Sequence, residues 1–262
     1  MKLKIMSSNI WGDYFGNEIP PRALQLSGIY HKYSPDILGL QEMTPNYYKD
    51  AFLTYLSDLY TLVPVPTSGQ GNYTPLLYQE KRFRLLDCGW EPLSHTPDQS
   101  KSLTWAILQD RQTARKLAAI STHFWYKTEH SSDDDIRMCN AKQLSSRIVE
   151  LETDYGCPVF AFGDFNCGTF SEPVLFLDSR GLPSAQLTAE EYRDNVSSHH
   201  GDPVRGEDSL YHGSPTALSA DHSLDHIIYT KKSVSVKEYH VVTDQAALDA
   251  TDHSPIYILA EI

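Results

Sequence analysis

Apolar and polar positions change period several times along the chain. Lys2 to Ile10 reads as a first strand. Pro20-Pro21 then opens a helix in which Leu26, Ile29, Tyr30 and Tyr33 fall at i, i+3, i+4 and i+7, on one face. Ser34-Pro35-Asp36 stops it, and Ile37-Leu38-Gly39-Leu40-Gln41-Glu42 is a short apolar strand. Thr44 is placed to cap a second helix with Pro45 at its first position and Tyr48, Phe52, Tyr55 and Leu56 turned inward. From 60 to 124 the period is that of strands: Tyr60 to Val65, Tyr73 to Tyr78, Phe83 to Leu86, Leu103 to Gln109 and Leu117 to Thr122. A helix from about Arg137 to Thr153 is predicted on a core stripe of Ala141, Leu144, Ile148 and Leu151, with Gly156 ending it. Val159 to Phe162 is a buried strand, and Ser171, Glu172 and Pro173 start a short helix that ends near Gly181. The tail holds strands at Leu224 to Tyr229, Val234 to Val242 and Ile256 to Ala260.

Helices between pairs of strands, with an antiparallel-looking middle, predict an α/β (α+β) fold. The expected architecture is a four-layered sandwich, two packed mixed β-sheets flanked by helices, forming a single domain over 1–262. Residues 184–223 stand apart as a long loop rich in Ser, His, Asp and Gly, of the kind that carries function in a compact domain.

Composition narrows the partners more than the fold. Hydrophobic residues make up 40% and charged residues 21%, which is ordinary for a globular chain. No apolar run has the length of a membrane span and the N-terminus lacks a signal-peptide core, so a cytoplasmic, monomeric protein with no membrane partner is expected. Cys88, Cys139, Cys157 and Cys167 form no Cys-x-x-Cys spacing. The formal net charge of −12 disfavours nucleic acid, whose phosphate backbone is gripped by lysine and arginine. The basic clusters are small: Lys81-Arg82-Phe83-Arg84, Arg111 to Lys116, and Lys231-Lys232. Charge therefore points to a small substrate.

Candidate chemistry sits where the apolar strands end. Asn9 follows the first strand, Glu42 the second, and His123 follows Ala118 to Thr122. Asp164 and Asn166 follow Val159 to Phe162, Asp225 precedes Ile227 to Tyr229, and Asp252-His253 leads into Ile256 to Leu259. Rigid strand ends can deliver side chains to one shared cleft, and carboxylates, amides and imidazoles suit a hard cation beside a phosphate. Singly, each has an ordinary role in a turn or near a helix start.

In order along the chain, Ser8-Asn9-Ile10-Trp11, Leu40-Gln41-Glu42, Ser121-Thr122-His123, Gly163-Asp164-Phe165-Asn166, Ser223-Leu224-Asp225-His226-Ile227 and Thr251-Asp252-His253-Ser254-Pro255 resemble the motif set of the endonuclease/exonuclease/phosphatase superfamily. The resemblance runs from residue 7 to 258 and implies a Mg²⁺-dependent hydrolase of phosphate esters, Mn²⁺ being able to substitute. By resemblance Glu42 is the principal metal ligand, aided by Asn9 and Asp252 directly or through water. Asp164 orients and deprotonates the attacking water and Asn166 fixes the geometry. His123 and His253 donate to phosphate oxygens, and Asp225 holds the tautomer of His253. The base is Asp164 or a histidine, with Asp164 favoured.

Trp125 and Arg137, flanking the run from Tyr126 to Asp135, are expected at a lip of the site, contacting substrate. His199, His200, His212 and His222 lie in the 184–223 loop, where scattered solvated histidines are commoner than a second metal site. Trp11, Tyr14 and Trp105 are aromatics able to stack on a substrate ring, core burial being the default. A small or singly anchored phosphoester is the expected substrate. A metal-dependent endo- or exonuclease acting on DNA or RNA is the runner-up, and a non-catalytic scaffold would have lost some of these groups.

Overall fold

A computed structural model describes residues 1–65, 71–97, 99–127, 131–192, 196–217 and 223–262, with the backbone alone described at 131–134 and 192. β1 (Lys2–Asn9) is the organising strand, because both of its faces are covered. It pairs parallel with β2 (Ile37–Gln41) on one side and antiparallel with β14 (Ile256–Glu261) on the other. β3 (Thr61–Leu62) and β4 (Leu76–Tyr78) extend the sheet beyond β2, while β13 (Ser235–Val241) and β9 (Glu191–Tyr192) extend it beyond β14.

The second sheet holds five strands in the order β12 (Asp225–Tyr229), β8 (Val159–Asp164), β7 (Lys116–His123), β6 (Ser102–Asp110) and β5 (Phe83–Pro92). Successive side chains point to opposite faces of a strand, and the sequence uses this. In β8, Phe160 and Phe162 enter the core between the sheets, whereas Val159 and Ala161 face the outer helices. In β1, Leu3 and Ile5 go inward and Met6 goes outward.

Gly39 of β2 lets the sheets meet: a Cβ there would lie 2.4 Å from the ring of Phe162 and 3.0 Å from Ser121 Oγ. On one outer face α4 (Ser131–Tyr155) and α5 (Glu172–Ser179) cover the five-stranded sheet through Ala141, Leu144, Ile148, Leu151, Val174 and Leu177. On the other, α1 (Ile19–Tyr33), α2 (Pro45–Lys49), α3 (Phe52–Leu56) and α7 (Gln245–Ala250) cover the larger sheet. Helix, sheet, sheet, helix are the four layers expected. Among the described residues, no helix is long and apolar enough to cross a membrane.

Local differences have local causes. The expected second helix is broken in two, because Asp50 is extended and its side chain accepts from Phe52 N. Thr44 donates to Asp13 instead of capping the helix, Tyr55 is exposed, and Tyr47 is buried against Phe52. β5 runs on to Pro92 past a bulge between Leu85 and Asp87, its polar second half hiding it in the pattern. The 184–223 segment contains α6 (Ala185–Thr188), β9 and the two-residue strands β10 (Val204–Arg205) and β11 (Tyr211–His212).

Candidate active site

Both sheets contribute to one hollow at the ends of their central strands. β1 ends in Asn9 and β2 is followed by Glu42, and these strands are parallel neighbours, with Asn9 opposite Gln41. In the other sheet, His123 of β7 and Asp225 of β12 both lie opposite Asp164 of β8. Thr251-Asp252-His253 enters from the segment before β14.

The backbone holds this arrangement under strain. Trp11, Glu42 and Asn166, each just past a strand, adopt φ of 52°, 62° and 50°. Such non-glycine conformations cost about 1–3 kcal/mol each and collect at functional sites. Glu42 is held there from two sides: its Oε2 accepts from Gly12 N at 2.8 Å and its Oε1 from Asn9 Nδ2 at 3.3 Å. Behind this loop the fully buried Arg22 donates to the carbonyls of Ile10 (2.9 Å), Ala250 (3.0 Å) and Glu18 (2.9 Å), bracing the turn after β1 against α7.

Asn9 joins the two halves. Its Nδ2 also donates to Asp164 Oδ2 at 3.1 Å, while its Oδ1 accepts from Trp11 N at 3.0 Å. In this orientation Asn9 positions the two carboxylates. Asp164 Oδ1 accepts from Asn166 N at 2.8 Å, and Asn166 Nδ2 donates to Phe124 O at 3.1 Å. Oδ2 also faces His123 Nε2 at 3.3 Å and His253 Nε2 at 3.7 Å. His253 Nδ1 donates to Asp225 Oδ2 at 2.7 Å. All eight catalytic and metal-ligating residues expected from the sequence therefore lie in one contiguous neighbourhood.

Burial and charge pull these groups apart. Burial would raise Asp164, but His253, His123 and Lys101 overcome it and hold the carboxyl well below its usual range. Glu42 is likewise lowered against burial by His123, Lys101 and the Gly12 amide. Burial should discharge His253, yet Asp225, Asp164 and Asp252 hold it well above an ordinary imidazole. Burial pushes Asp225 up while the imidazolium it serves opposes the rise. Asp252 is pushed up to about 7 by burial and by the negative charges of Glu42, Asp202 and Asp164.

Fit to a divalent cation can be judged from this donor set. Glu42 and Asp252 present hard oxygens, and the carboxylate field that raises Asp252 is what a cation there would neutralise. His199, Asp252 and His253 have ligand-capable atoms within 4.8 Å of one another, as do Asp164, Asp225 and His253, but His253 held as an imidazolium has no lone pair for a metal, which leaves the carboxylates as ligands. The donor chemistry fits.

The hollow measures about 550 Å³ and is lined by Glu42, Asp164, Asn166, Asp252 and His253 together with Trp11, Tyr14, Phe15, Tyr73, Tyr126 and Lys101. Trp125 and Arg137, expected at the lip, are both buried and are not among its lining residues. Trp125 N donates to Asn140 and Arg137 Nη1 to Lys127 O, and it is the neighbouring Tyr126 that faces the hollow. Of the expected aspartate lip, the side chains of Asp133 and Asp134 lie outside the described residues.

Lys101, missed by sequence reasoning, is only 5% exposed with Nζ 2.6 Å from His123 Nε2. It lies just before β6 in no strand-end motif. His199, one of four histidines set aside, is brought against His253 with ring centroids 4.7 Å apart. His212 pairs with Asp208 instead, and His222 lies outside the described residues.

The sequence profile described as "Endonuclease/Exonuclease/phosphatase family" matches residues 6–253. A mannosyl-6-phosphatase from Bacteroides thetaiotaomicron superposes with a TM-score of 0.80 at 19% identity, covering 99% of this chain and 100% of that one. The human Nocturnin catalytic domain with bound sulfate superposes at 0.72 and 19% identity, covering 99% and 94%. In sequence, the zebrafish (Danio rerio) protein angel homolog 2 is 23% identical over 177 residues, 61% of this chain. The match spans 31% of that relative's length.

Proposed function

The chain belongs to the endonuclease/exonuclease/phosphatase family of metal-dependent phosphoester hydrolases, and from that membership we propose that it cleaves a small or singly anchored phosphoester using Mg²⁺. The observation that carries this reading is Asp164, flanked by His123 and His253 and tied to Glu42 through the amide of Asn9 inside one hollow. Its volume, about 550 Å³, suits a small molecule. Among the described residues, Lys101 is the one lysine or arginine that lines it, and the net charge of −12 disfavours a broad cationic surface for a polyphosphate.

Glu42 and Asp252 would hold the cation, with Asn9 fixing the Glu42 carboxylate. When bound, the metal polarises a non-bridging phosphate oxygen and neutralises charge that grows in the transition state. Asp164, held ionised, orients a water in line with phosphorus and accepts its proton. The water oxygen bonds to phosphorus, the ester P–O bond breaks, and the departing oxygen is protonated from solvent, to which Asp164 gives up the proton it took and is restored as the carboxylate. His253, kept as an imidazolium by Asp225, donates to an equatorial oxygen as charge accumulates, and His123 flanks Asp164 behind it. Asn166, anchored on Phe124 O, keeps Asp164 in its rotamer.

With saturating Mg²⁺, the protein is expected to hydrolyse members of a panel of phosphorylated sugars, phosphorylated inositols and nitrophenyl phosphate esters faster than it nicks plasmid. Asp164→Asn should keep the fold and lower turnover by at least about 10²-fold. Plasmid nicking without small-ester turnover would move the substrate to nucleic acid, and near-wild-type turnover in the variant would reject Asp164.

A further inference from the structure

A single apolar side chain in water is ordinary, but several gathered at one opening mark a place where something binds. Phe15 is 91% exposed, and Tyr14 and Tyr126 are about half exposed, yet all three line the catalytic hollow. Phe15 does not stand in water because its loop is loose. Residues 11–18 are stitched together from within. Asn17 is buried, with Nδ2 donating to the carbonyls of Gly12 at 2.6 Å and Trp11 at 3.3 Å, and Oδ1 accepting from Phe15 N at 3.3 Å. Gly16 turns the chain between Phe15 and Asn17 at φ of +83°, where a side chain would be strained.

Both ends of the loop are anchored as well. The guanidinium of Arg22 lies 4.9 Å from the centroid of Trp11 and donates to Asn17 O at 3.4 Å. Tyr211 packs edge-on against Trp11, and its hydroxyl accepts from Glu18 N at 3.0 Å. Between the ends, Tyr14 lies on Gly12, where a Cβ would be 2.5 Å from a carbon of its ring. Gly12 is the residue whose amide holds Glu42 Oε2. One short, ordered loop therefore fixes a metal-binding carboxylate and sets two aromatic rings beside it. A face already held in its binding position loses little freedom when a ligand arrives.

Resting on the hydrolase reading above, we infer that the 11–17 loop is a preformed specificity element, with Phe15 as its face. Phe15, Tyr14 and Tyr126 take the apolar face of a ring carried by the alcohol part of the phosphoester. The phosphoryl group needs only the region around Asp164, and a hollow of about 550 Å³ leaves its aromatic opening for the rest of the molecule. Apolar contact over a ring face is directional only for a ligand that is itself flat or nearly so, which favours rings over open chains.

Phosphonates, in which carbon replaces the ester oxygen, report binding without turnover. With Mg²⁺ present, the wild type should bind benzylphosphonate at least about tenfold more tightly than methylphosphonate by calorimetry. Cyclohexylmethylphosphonate is the saturated ring: a gain confined to benzyl assigns planar rings, a gain with both assigns rings of either kind, and no gain with either overturns the proposal. Phe15→Ala should cut the benzyl preference at least about threefold, and Phe15→Trp should keep it. An undiminished preference in Phe15→Ala would overturn the role of Phe15. Exposed aromatics also suit a lipid interface, so neutral phosphatidylcholine vesicles are the control. Sedimentation of the wild type with them, lost in Phe15→Ala, would make Phe15 an anchor and overturn the proposal. Ring preference in a protein that hydrolyses no phosphoester would sink the hydrolase reading and leave the loop's role standing, and hydrolysis without ring preference would do the reverse.

Discussion

Asp225 touches nothing that reacts, yet two observations make it decisive: it is buried, and it holds His253 Nδ1 at 2.7 Å. Asp225, Asp164 and Asp252 together raise His253 well above an ordinary imidazole. Asp225→Asn is therefore expected to lower kcat/KM at least about tenfold. It should also move the alkaline limb of the pH–kcat/KM profile to lower pH, since the imidazolium is the active form and loses its proton sooner without that carboxylate. An unmoved alkaline limb would separate His253 from the rate. These residues were readable because each stands at one end of an apolar strand, just after it or just before it, inside a motif. Lys101 was not, because a lysine beside Gln99-Ser100 reads as solvated loop and only the folded chain brings it under His123. Arg137 is the converse case: a cation near a motif looks like a phosphate ligand, but in the fold it is buried outside the lining of the hollow, with Nη1 donating to the Lys127 carbonyl.

At the scale of elements, the pairing of β7 with β8 sets the distance between His123 and Asp164. Gly163, opposite Thr122, has φ of +156°, and a Cβ there would lie 1.8 Å from the Thr122 carbonyl oxygen. Gly163→Ala must push the strands apart next to the reacting groups. It is expected to destabilise the protein by roughly 2 kcal/mol or more in chemical denaturation and to cost activity beyond its loss of fold. A variant with unchanged stability and turnover would show that this approach is not needed. The strands that carry the site were legible because both of their faces are buried, which leaves continuous apolar runs such as Val159 to Phe162. Elements with weaker demands were not. α7 reads Gln-Ala-Ala-Leu-Asp-Ala with too few positions to declare a period, and β5 is half exposed along its length. The break between α2 and α3 depends on one aspartate turning back on the chain at Asp50.

For the whole molecule, the acidic site couples cation binding to pH. Asp252 titrates near 7 in the fold against an ordinary value near 4, so from about pH 4 to 7 the folded chain keeps a proton that the unfolded chain has released. Stability contributed by that proton falls as pH rises through this window and is gone above it. A cation needs the ionised form. Saturating Mg²⁺ should raise the melting temperature by about 5 °C at pH 8 and by clearly less at pH 5.5, as read by scanning fluorimetry. Equal shifts at both values would take Asp252 out of the binding site. The four layers were foreseeable because alternating apolar strands and amphipathic helices allow few other ways to bury every face, but the entry of His199 from a polar loop depended on long-range pairing with His253. That long-range character has one more consequence, through β14. Its register sets Lys2 against Glu261, and it sits inside the larger sheet between β1 and β13. A ribosome releases β1 (Lys2–Asn9) well before β14 (Ile256–Glu261). At ~5–20 residues per second, β1 waits many seconds with an open edge before its partner emerges. Until then the nascent chain has neither Asp252 nor His253 in position, so it can bind a folding chaperone but cannot act as an enzyme.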